Sequence, residues 1–412
     1  MRKDIDIIYF TLFPWDNPYS SVSFSFAKEF IKNNRVFYIN PPYSYRDFAT
    51  RYNNEFTQER KSDLWMHRMR YEHPPQLEKN PYRDNFVAAL PPMVPPINFL
   101  PKGGMYKTMR QSNNRRVLNT IQKVIKDYRI KDYIFLNCYN PFYAGYLPRN
   151  EFNPLLNIYQ CIDDISQNDY TVKHGLDLER EAIQRADIAT VTSRELKNIW
   201  EKDAQEIHIV HNAADIAIFE RTLSEQFDKP EEIKNIDTKI IGFVGNLDEL
   251  RINYPLIKKM ATVHQDKTLL LVGPINSNEV YELGIDKMPN VIFTGSKDIR
   301  SLPQYLQYMD VAIIPFLLNT LTKSIYPLKI NEYLAAGRAV IATNFSEDIR
   351  TFAEVIHIAK SEDEFVHLVD QAIAEQTPEK VKQQVAVAHT NTWEARVQQI
   401  WDIVEQRITV DN

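Results

Sequence analysis

Two cysteines, Cys138 and Cys161, in 412 residues exclude a disulfide framework and a cysteine-based metal cluster, and they fit a reducing compartment. Nine histidines fall without an HExxH or other paired-ligand spacing, so no metal is expected. No strand–GxGxxG–helix unit occurs, which argues against a nicotinamide dehydrogenase. No run approaches the roughly 18 uninterrupted apolar residues of a membrane span. Residues 1–15 fail as a signal peptide. Asp4 and Asp6 break the apolar core and Pro14-Trp15 follows, so the stretch reads as a first buried strand. A basic excess is also missing. The formal net charge is −5, so no nucleic-acid partner is expected. The expectation that remains is a cytoplasmic globular protein.

What is present is an α/β pattern. The apolar share of 44% and the charged share of 25% are those of a globular chain, and the length asks for two domains. Strand-like runs at 5–10, 36–39, 133–137, 157–160, 188–192 and 207–210 alternate with helical patterns at 23–32, 113–128, 177–186 and 193–202. Residues 41–101 read as a strand pair and long loops. A charged, apolar-poor stretch then separates this half from a second set of strands, at 239–244, 268–272, 291–294, 311–315, 339–342 and 355–358. The expected domains are 1–220, a linker at 221–237, and 238–390. A final helix within 391–412, carrying Trp393 and Trp401, is expected to return to the first domain. The expected fold is two Rossmann-like domains, with ligands at the carboxyl ends of the strands.

Residues 324–343, SIYPLKINEYLAAGRAVIAT, are the most informative stretch. A Pro-containing loop enters a helix, and Glu332 follows within it. Free N–H groups and the helix dipole favour an anion at such an entry. An acid further along can accept hydrogen bonds from a ribose diol. Ordinary helix punctuation by Pro and Gly is the competing reading.

The second half resembles retaining glycosyltransferases of the GT-B fold, the family 4 (group 1) type of bacterial surface-polysaccharide assembly. The resemblance runs through the glycine turn at 242–247, LLLVGP at 269–274, residues 290–295, residues 308–315 and the 324–343 stretch. In the first half, residues 186–193 and the HNAAD segment at 211–215 are similar to family segments. Three positions depart. Ser324 stands eight residues before Glu332 where the family often has an acid. Asn246 and Arg251 stand where it often has Arg and Lys. Residues 13–18 replace an N-terminal glycine-rich loop.

The resemblance implies transfer of a sugar from a nucleoside-diphosphate sugar to an acceptor hydroxyl, with retention and without metal or cofactor. A UDP-sugar stands ahead of a GDP-sugar. Glu332 would accept the ribose hydroxyls, while Lys329 and Arg251 would hold the diphosphate. Gly245 and Asn246 would form the phosphate turn. Thr294, Gly295 and Ser296 would touch the base. Ser324 would lie near the sugar, with Tyr326, Pro327 and Leu328 as the phosphate-side loop, where Pro327 removes one N–H and leaves the Leu328 amide. Trp15, Asp16, Asn17, Asp163 and Asp164 would face the acceptor, a glycan or lipid-linked molecule; the two neighbouring aspartates read equally as a turn or N-cap. His174 and His211 read as structural. A nucleotide-sugar 2-epimerase and a non-catalytic GT-B scaffold protein are the alternatives.

Between Lys102 and Lys131 the single acid is Asp127, against nine cations, and the apolar stretch 91–100 precedes them. Peripheral docking of 91–131 on an anionic membrane, at its inner face, is one expectation; a solvated basic helix face is the other.

Overall fold

A computed structural model describes residues 5–17, 21–167 and 169–410; Pro18 of the 13–18 segment lies outside them. The chain divides into two compact units. Unit 1 comprises Met1–Thr192, Leu196–Val210 and Arg396–Asn412, and unit 2 comprises Ser193–Glu195 and His211–Ala395.

Unit 1 is built on β1 (Asp6–Thr11), β2 (Val36–Ile39), β3 (Arg70–Glu72), β4 (Phe86–Leu90), β5 (Tyr133–Cys138), β6 (Asn157–Cys161), β7 (Ile188–Val191) and β8 (Ile207–Ile209). They lie in the order β3-β4-β2-β1-β5-β6-β7-β8. Every pairing is parallel except β3 with β4. The runs are short, apolar and rich in β-branched and aromatic residues. β1, β2, β4, β5, β6 and β7 are buried along their whole length, as strands covered on both faces require.

Unit 2 repeats the logic with β9 (Ile240–Val244), β10 (Leu247–Asp248), β11 (Thr268–Val272), β12 (Ile275–Asn276), β13 (Val291–Phe293), β14 (Val311–Ile314), β15 (Ala339–Thr343) and β16 (His357–Ala359). β10 and β12 form a small ribbon. The other six form a parallel sheet in the order β13-β11-β9-β14-β15-β16. This is the doubly wound Rossmann order, and β9 and β14 flank the point where chain direction across the sheet reverses. In unit 1 the equivalent point lies between β1 and β5.

Three local readings change. Residues 211–237 belong to unit 2. Instead of a tail and a linker they form a helix (Ile216–Ser224) and a 3-10 turn (Glu231–Ile233), held because Phe219 and Ile233 are fully buried in the unit 2 core. Residues 41–69 hold two helices, Tyr45–Thr50 and Glu55–Trp65, started by Ser44 and Asn54 side chains that cap the third helical amide. The stretch 91–100 presents one large apolar side chain rather than a continuous apolar surface. Met93, Val94, Ile97 and Leu100 are buried, and Phe99 is exposed. The basic helix that follows, Gly104–Asp127, spends much of its charge within the unit. Arg110 pairs with Glu181, Arg115 with Glu151 and Lys123 with Asp127, while Lys102 just before it pairs with Asp177. Packing thus takes up most of the apolar side chains of 91–100 and leaves Phe99 and, in the helix, Met105 exposed. Among the described residues, no helix is long and apolar enough to cross a membrane.

Candidate functional site

In unit 2 Gly245, Gly295 and Lys329, singled out by sequence, come together at the carboxyl ends of β9, β11 and β13. Gly245 follows β9 with φ of +154°, a conformation open to glycine. Its N–H donates to the Val272 carbonyl at 2.8 Å. A Cβ on Gly245 would overlap Cε and Nζ of Lys329, so the ammonium stem lies flat against this peptide. A Cβ on Gly273 would strike the Gly245 carbonyl, and Gly273 in turn pairs antiparallel with Gly295. Three strand exits are therefore stitched backbone to backbone. Thr294 donates its hydroxyl to the Gly295 carbonyl at 3.0 Å, and Ser296 is exposed beside it.

Lys329 sits in the first turn of the helix Leu328–Ala335, and Glu332 stands one turn later on the same face. Glu332 is buried, 9% exposed, and its carboxylate has no hydrogen-bond partner among the described residues. Burial pushes this carboxyl up from its ordinary range, while the Lys329 charge pulls it back. Lys329 has no carboxylate within ion-pair distance among the described residues. An acceptor that packing leaves reachable and unbonded, one helical turn from an unpaired cation, suits a ligand bringing hydroxyls and negative charge.

Pro327 opens the helix with φ −77° and ψ 79°, and Leu328 N–H turns back to the Tyr326 carbonyl at 2.9 Å. That amide, expected to be free for phosphate, is spent inside the turn. Tyr326 is buried. Its ring stacks on His211 at 4.4 Å, and its hydroxyl meets Asn391 and Asn331. It props the loop from below. Ser324 is also buried, and its hydroxyl donates to the Leu321 carbonyl at 2.8 Å; the bond is local to its own helix. Arg251 is half-exposed and paired with Asp248 at 2.8 Å; the other Asp248 oxygen accepts from the Leu250 and Arg251 amides. Asn246 is exposed and accepts from Asn276 at 2.7 Å.

Tyr333 is the residue that sequence reasoning passed over. Its hydroxyl accepts from the Val244 N–H at 2.9 Å and contacts the Val244 carbonyl, tying the exit of β9 to the helix that carries Lys329. It stands inside the quoted motif, directly after Glu332. Tyr333→Phe is expected to cost about 1 kcal/mol and to weaken ligand binding through Lys329, which denaturant unfolding and ligand titration on one preparation would check.

A cavity of about 700 Å³ opens near Lys239, Asp310 and Arg338. It lies at the amino ends of β9, β14 and β15, the wrong end of a parallel sheet for a ligand. A groove of about 610 Å³ at the carboxyl ends of β14 and β15, lined by Lys323, Asn344 and Arg350 among others, is on the side of the site.

In unit 1 the acceptor-side expectations change. Trp15 is buried; its indole N–H donates to Glu72 at 2.8 Å and its backbone N–H to Asn40 at 3.2 Å. Asp16 pairs with Arg60 at 2.6 Å. Asn17 donates its N–H to the Pro14 carbonyl. Trp15 and Asp16 are locked into an internal ion-pair network, because Arg60, at 1% exposure, must be neutralised inside the unit. Asp164 caps the turn Ile165–Gln167, accepting from the Ser166 amide and hydroxyl and from Gln167. Asp163 is exposed at the exit of β6.

Near that exit Glu179 is fully buried, and desolvation pushes its carboxyl up to about 8 from an ordinary 4.5. The unfolded chain therefore holds fewer protons than the folded one between these values. The stability Glu179 contributes is complete below about 4.5 and lost as pH rises toward about 8. Unfolding free energies measured across this window should show Glu179→Gln gaining on the native chain as pH rises and levelling off above it.

Residues 238–381 match the family model described as "Glycosyl transferases group 1". The chain is 26% identical over 231 residues to the "Putative teichuronic acid biosynthesis glycosyltransferase TuaH" of Bacillus subtilis (strain 168), which covers 54% of this chain. The chain spans 57% of that relative's length. Among solved structures, sucrose-phosphate synthase from Thermosynechococcus elongatus superposes with a TM-score of 0.66 at 14% identity, over 98% of this chain and 100% of that one. Anabaena HepE in complex with UDP gives 0.60 at 14%, again over 98% and 100%. Residues 238–381 are thus similar to the glycosyl transferases group 1 family, and the chain that carries them has the GT-B fold.

Proposed function

We propose that this protein transfers a sugar from a nucleoside-diphosphate sugar, bound by unit 2, to an acceptor hydroxyl in bacterial surface-polysaccharide or glycolipid assembly. One observation carries the reading: a Lys329 ammonium laid on the Gly245 peptide, with the unbonded, buried Glu332 one helical turn away. The ammonium suits a diphosphate and the carboxylate a ribose diol. As the glycosidic bond breaks, negative charge grows on the leaving diphosphate. Lys329 and Arg251 supply counter-charge where it grows, which supports a reaction driven by leaving-group electrostatics. Arg251 can grip phosphate while keeping Asp248, because a guanidinium offers five donors. An oxocarbenium-like transition state and anomeric retention follow from the resemblance.

Nothing in the Thr294–Ser296 stretch selects a base through a side chain; UDP is favoured because HepE, similar in fold, was solved with it. The curated relative's teichuronic acid role supports an envelope polysaccharide, and buried free cysteines suit the reducing cytoplasm, at the inner face of the membrane.

The test is turnover. Incubation with UDP- and GDP-sugars should release nucleoside diphosphate from one of them, faster with a polysaccharide or glycolipid acceptor, and the anomeric configuration of the product reads retention directly. Binding of a nucleotide sugar with no release, whatever the acceptor, would favour the non-catalytic scaffold reading.

A further inference from the structure

Arg251 sits in a turn of unit 2 that is fixed on both sides. On the near side Asp248 Oδ1 accepts the Leu250 and Arg251 amides, each at 3.1 Å. The Ile252 N–H donates to the Asp248 carbonyl, also at 3.1 Å. On the far side the turn is stitched to the segment that leaves β14. Leu317 N–H donates to the Arg251 carbonyl at 2.7 Å, and Asn253 N–H to the Pro315 carbonyl at 2.9 Å. The Asn319 side-chain amide donates to the Leu250 carbonyl at 2.8 Å. Ile252 and Phe316 pair as an antiparallel bridge, and both side chains are buried. The backbone of Arg251 is therefore set by packing and hydrogen bonds before any ligand arrives.

Its side chain is held at one point. Asp248, itself buried, accepts from Arg251 Nη1 through Oδ2 at 2.8 Å. Nε and Nη2 of Arg251 have no partner among the described residues. Those two nitrogens form the edge with which a guanidinium grips an oxyanion bidentately. Arg60 uses that edge within this chain, where its Nε and Nη2 hold the two Glu72 oxygens at 2.6 and 2.7 Å. In Arg251 the same edge is open. A surface arginine gives up rotamer freedom when it grips a ligand. A carboxylate that already holds the far nitrogen removes part of that cost in advance.

We propose that Asp248 is a positioning residue for the donor's diphosphate. It holds Arg251 by Nη1 and leaves the Nε and Nη2 edge to take two phosphate oxygens. Asp248 touches no ligand, and its negative charge opposes the diphosphate. What it contributes is a cation that is already ordered. The inference rests on the donor site proposed above and deepens it.

The experiment is a double-mutant cycle on the full chain, read by calorimetric titration of UDP, with GDP run beside it. Arg251→Gln should weaken binding of the preferred nucleotide by at least about tenfold. Asp248→Asn keeps an oxygen for the two amides and should weaken it by roughly three- to tenfold. The double variant should lose no more than Arg251→Gln alone, because Asp248 acts through the guanidinium. Should Asp248→Asn fail to fold, Asp248→Ser takes its place in the cycle, since a hydroxyl can cap the same amides. Tighter binding to the Asp248 variant would make Asp248 a competitor for the cation and overturn the proposal. Unchanged binding would overturn it too. So would an equal loss on the Arg251→Gln background, which would confine Asp248 to shaping the turn. Loss in Arg251→Gln with none in Asp248→Asn sinks this inference alone. A native chain that binds neither UDP nor GDP sinks the donor-site reading as well.

Discussion

Arg60→Ala is expected to destabilise unit 1 by about 3–5 kcal/mol, the loss seen when one partner of a buried ion pair is removed. Arg60 donates from Nε and Nη2 to the two Glu72 oxygens at 2.6 and 2.7 Å, and from Nη1 to Asp16 at 2.6 Å and to the Tyr43 hydroxyl at 3.1 Å. Its guanidinium also lies 5.3 Å from the Trp15 ring centroid and 5.7 Å from that of Phe56. Removing it leaves Asp16 without its counter-charge and Glu72 with only Arg70, at 3.6 Å, and it empties the centre of an aromatic cage. In a unit of this size the melting temperature should fall by roughly 6–20 °C. A triple variant, Arg60→Met with Asp16→Asn and Glu72→Gln, should recover most of the loss, since neutral groups of similar volume carry no stranded charge. Equal losses in the two would mean that packing, not charge, holds the 13–17 loop to the helix Glu55–Trp65.

The second large effect concerns turnover. Lys329→Ala should lower the transfer rate about a hundred- to thousandfold, the usual loss for a group that meets charge as it develops. Glu332→Gln should behave differently. It removes an acceptor for the ribose and raises KM, yet it should stabilise the fold. The sign follows from burial: a carboxyl raised in the folded state contributes stability that is present below its ordinary value and lost as pH rises. The variant should therefore gain most above the raised value and little in acid, by about 0.5–2 kcal/mol at its largest. Melting curves at pH 5 and pH 8, with kinetics on the same samples, would check this. Glu332→Gln losing stability at pH 8 would mean that the native carboxylate has a partner.

The sheet strands were largely legible because buried parallel strands write themselves as short apolar runs, and β9, β11, β14 and β15 are such runs. The helix Glu55–Trp65 was not. Its inward positions are Thr57, Arg60 and Leu64, so the residue at the centre of its buried stripe is a cation. Periodicity cannot reveal a helix whose core contact is an ion pair made with Asp16 and Glu72, distant in sequence. The region 211–237 misled for a related reason. Its charges are real, and the large apolar side chains it buries, Ile216, Phe219 and Ile233, are too few to break the appearance of a linker. In the candidate site, Lys329 and Glu332 were readable because their spacing within one motif fixes which face of the helix they share, and Gly245 because a glycine closes the strand run of β9. What hid was direction. Ser324 and Tyr326 stand in the same loop, but one hydroxyl turns into its own helix and one ring stacks beneath on His211, and neither fact has a local sequence signal.

The central claim is that unit 2 binds a nucleoside diphosphate through Lys329 and Glu332. Calorimetric titration of UDP and GDP into the native chain, Lys329→Ala and Glu332→Ala tests it most directly. Saturable binding of one nucleotide at one site, weakened at least about tenfold in both variants, is the result expected when a charge-assisted contact is lost. No binding of either nucleotide to the native chain, or binding that both substitutions leave untouched, would contradict it.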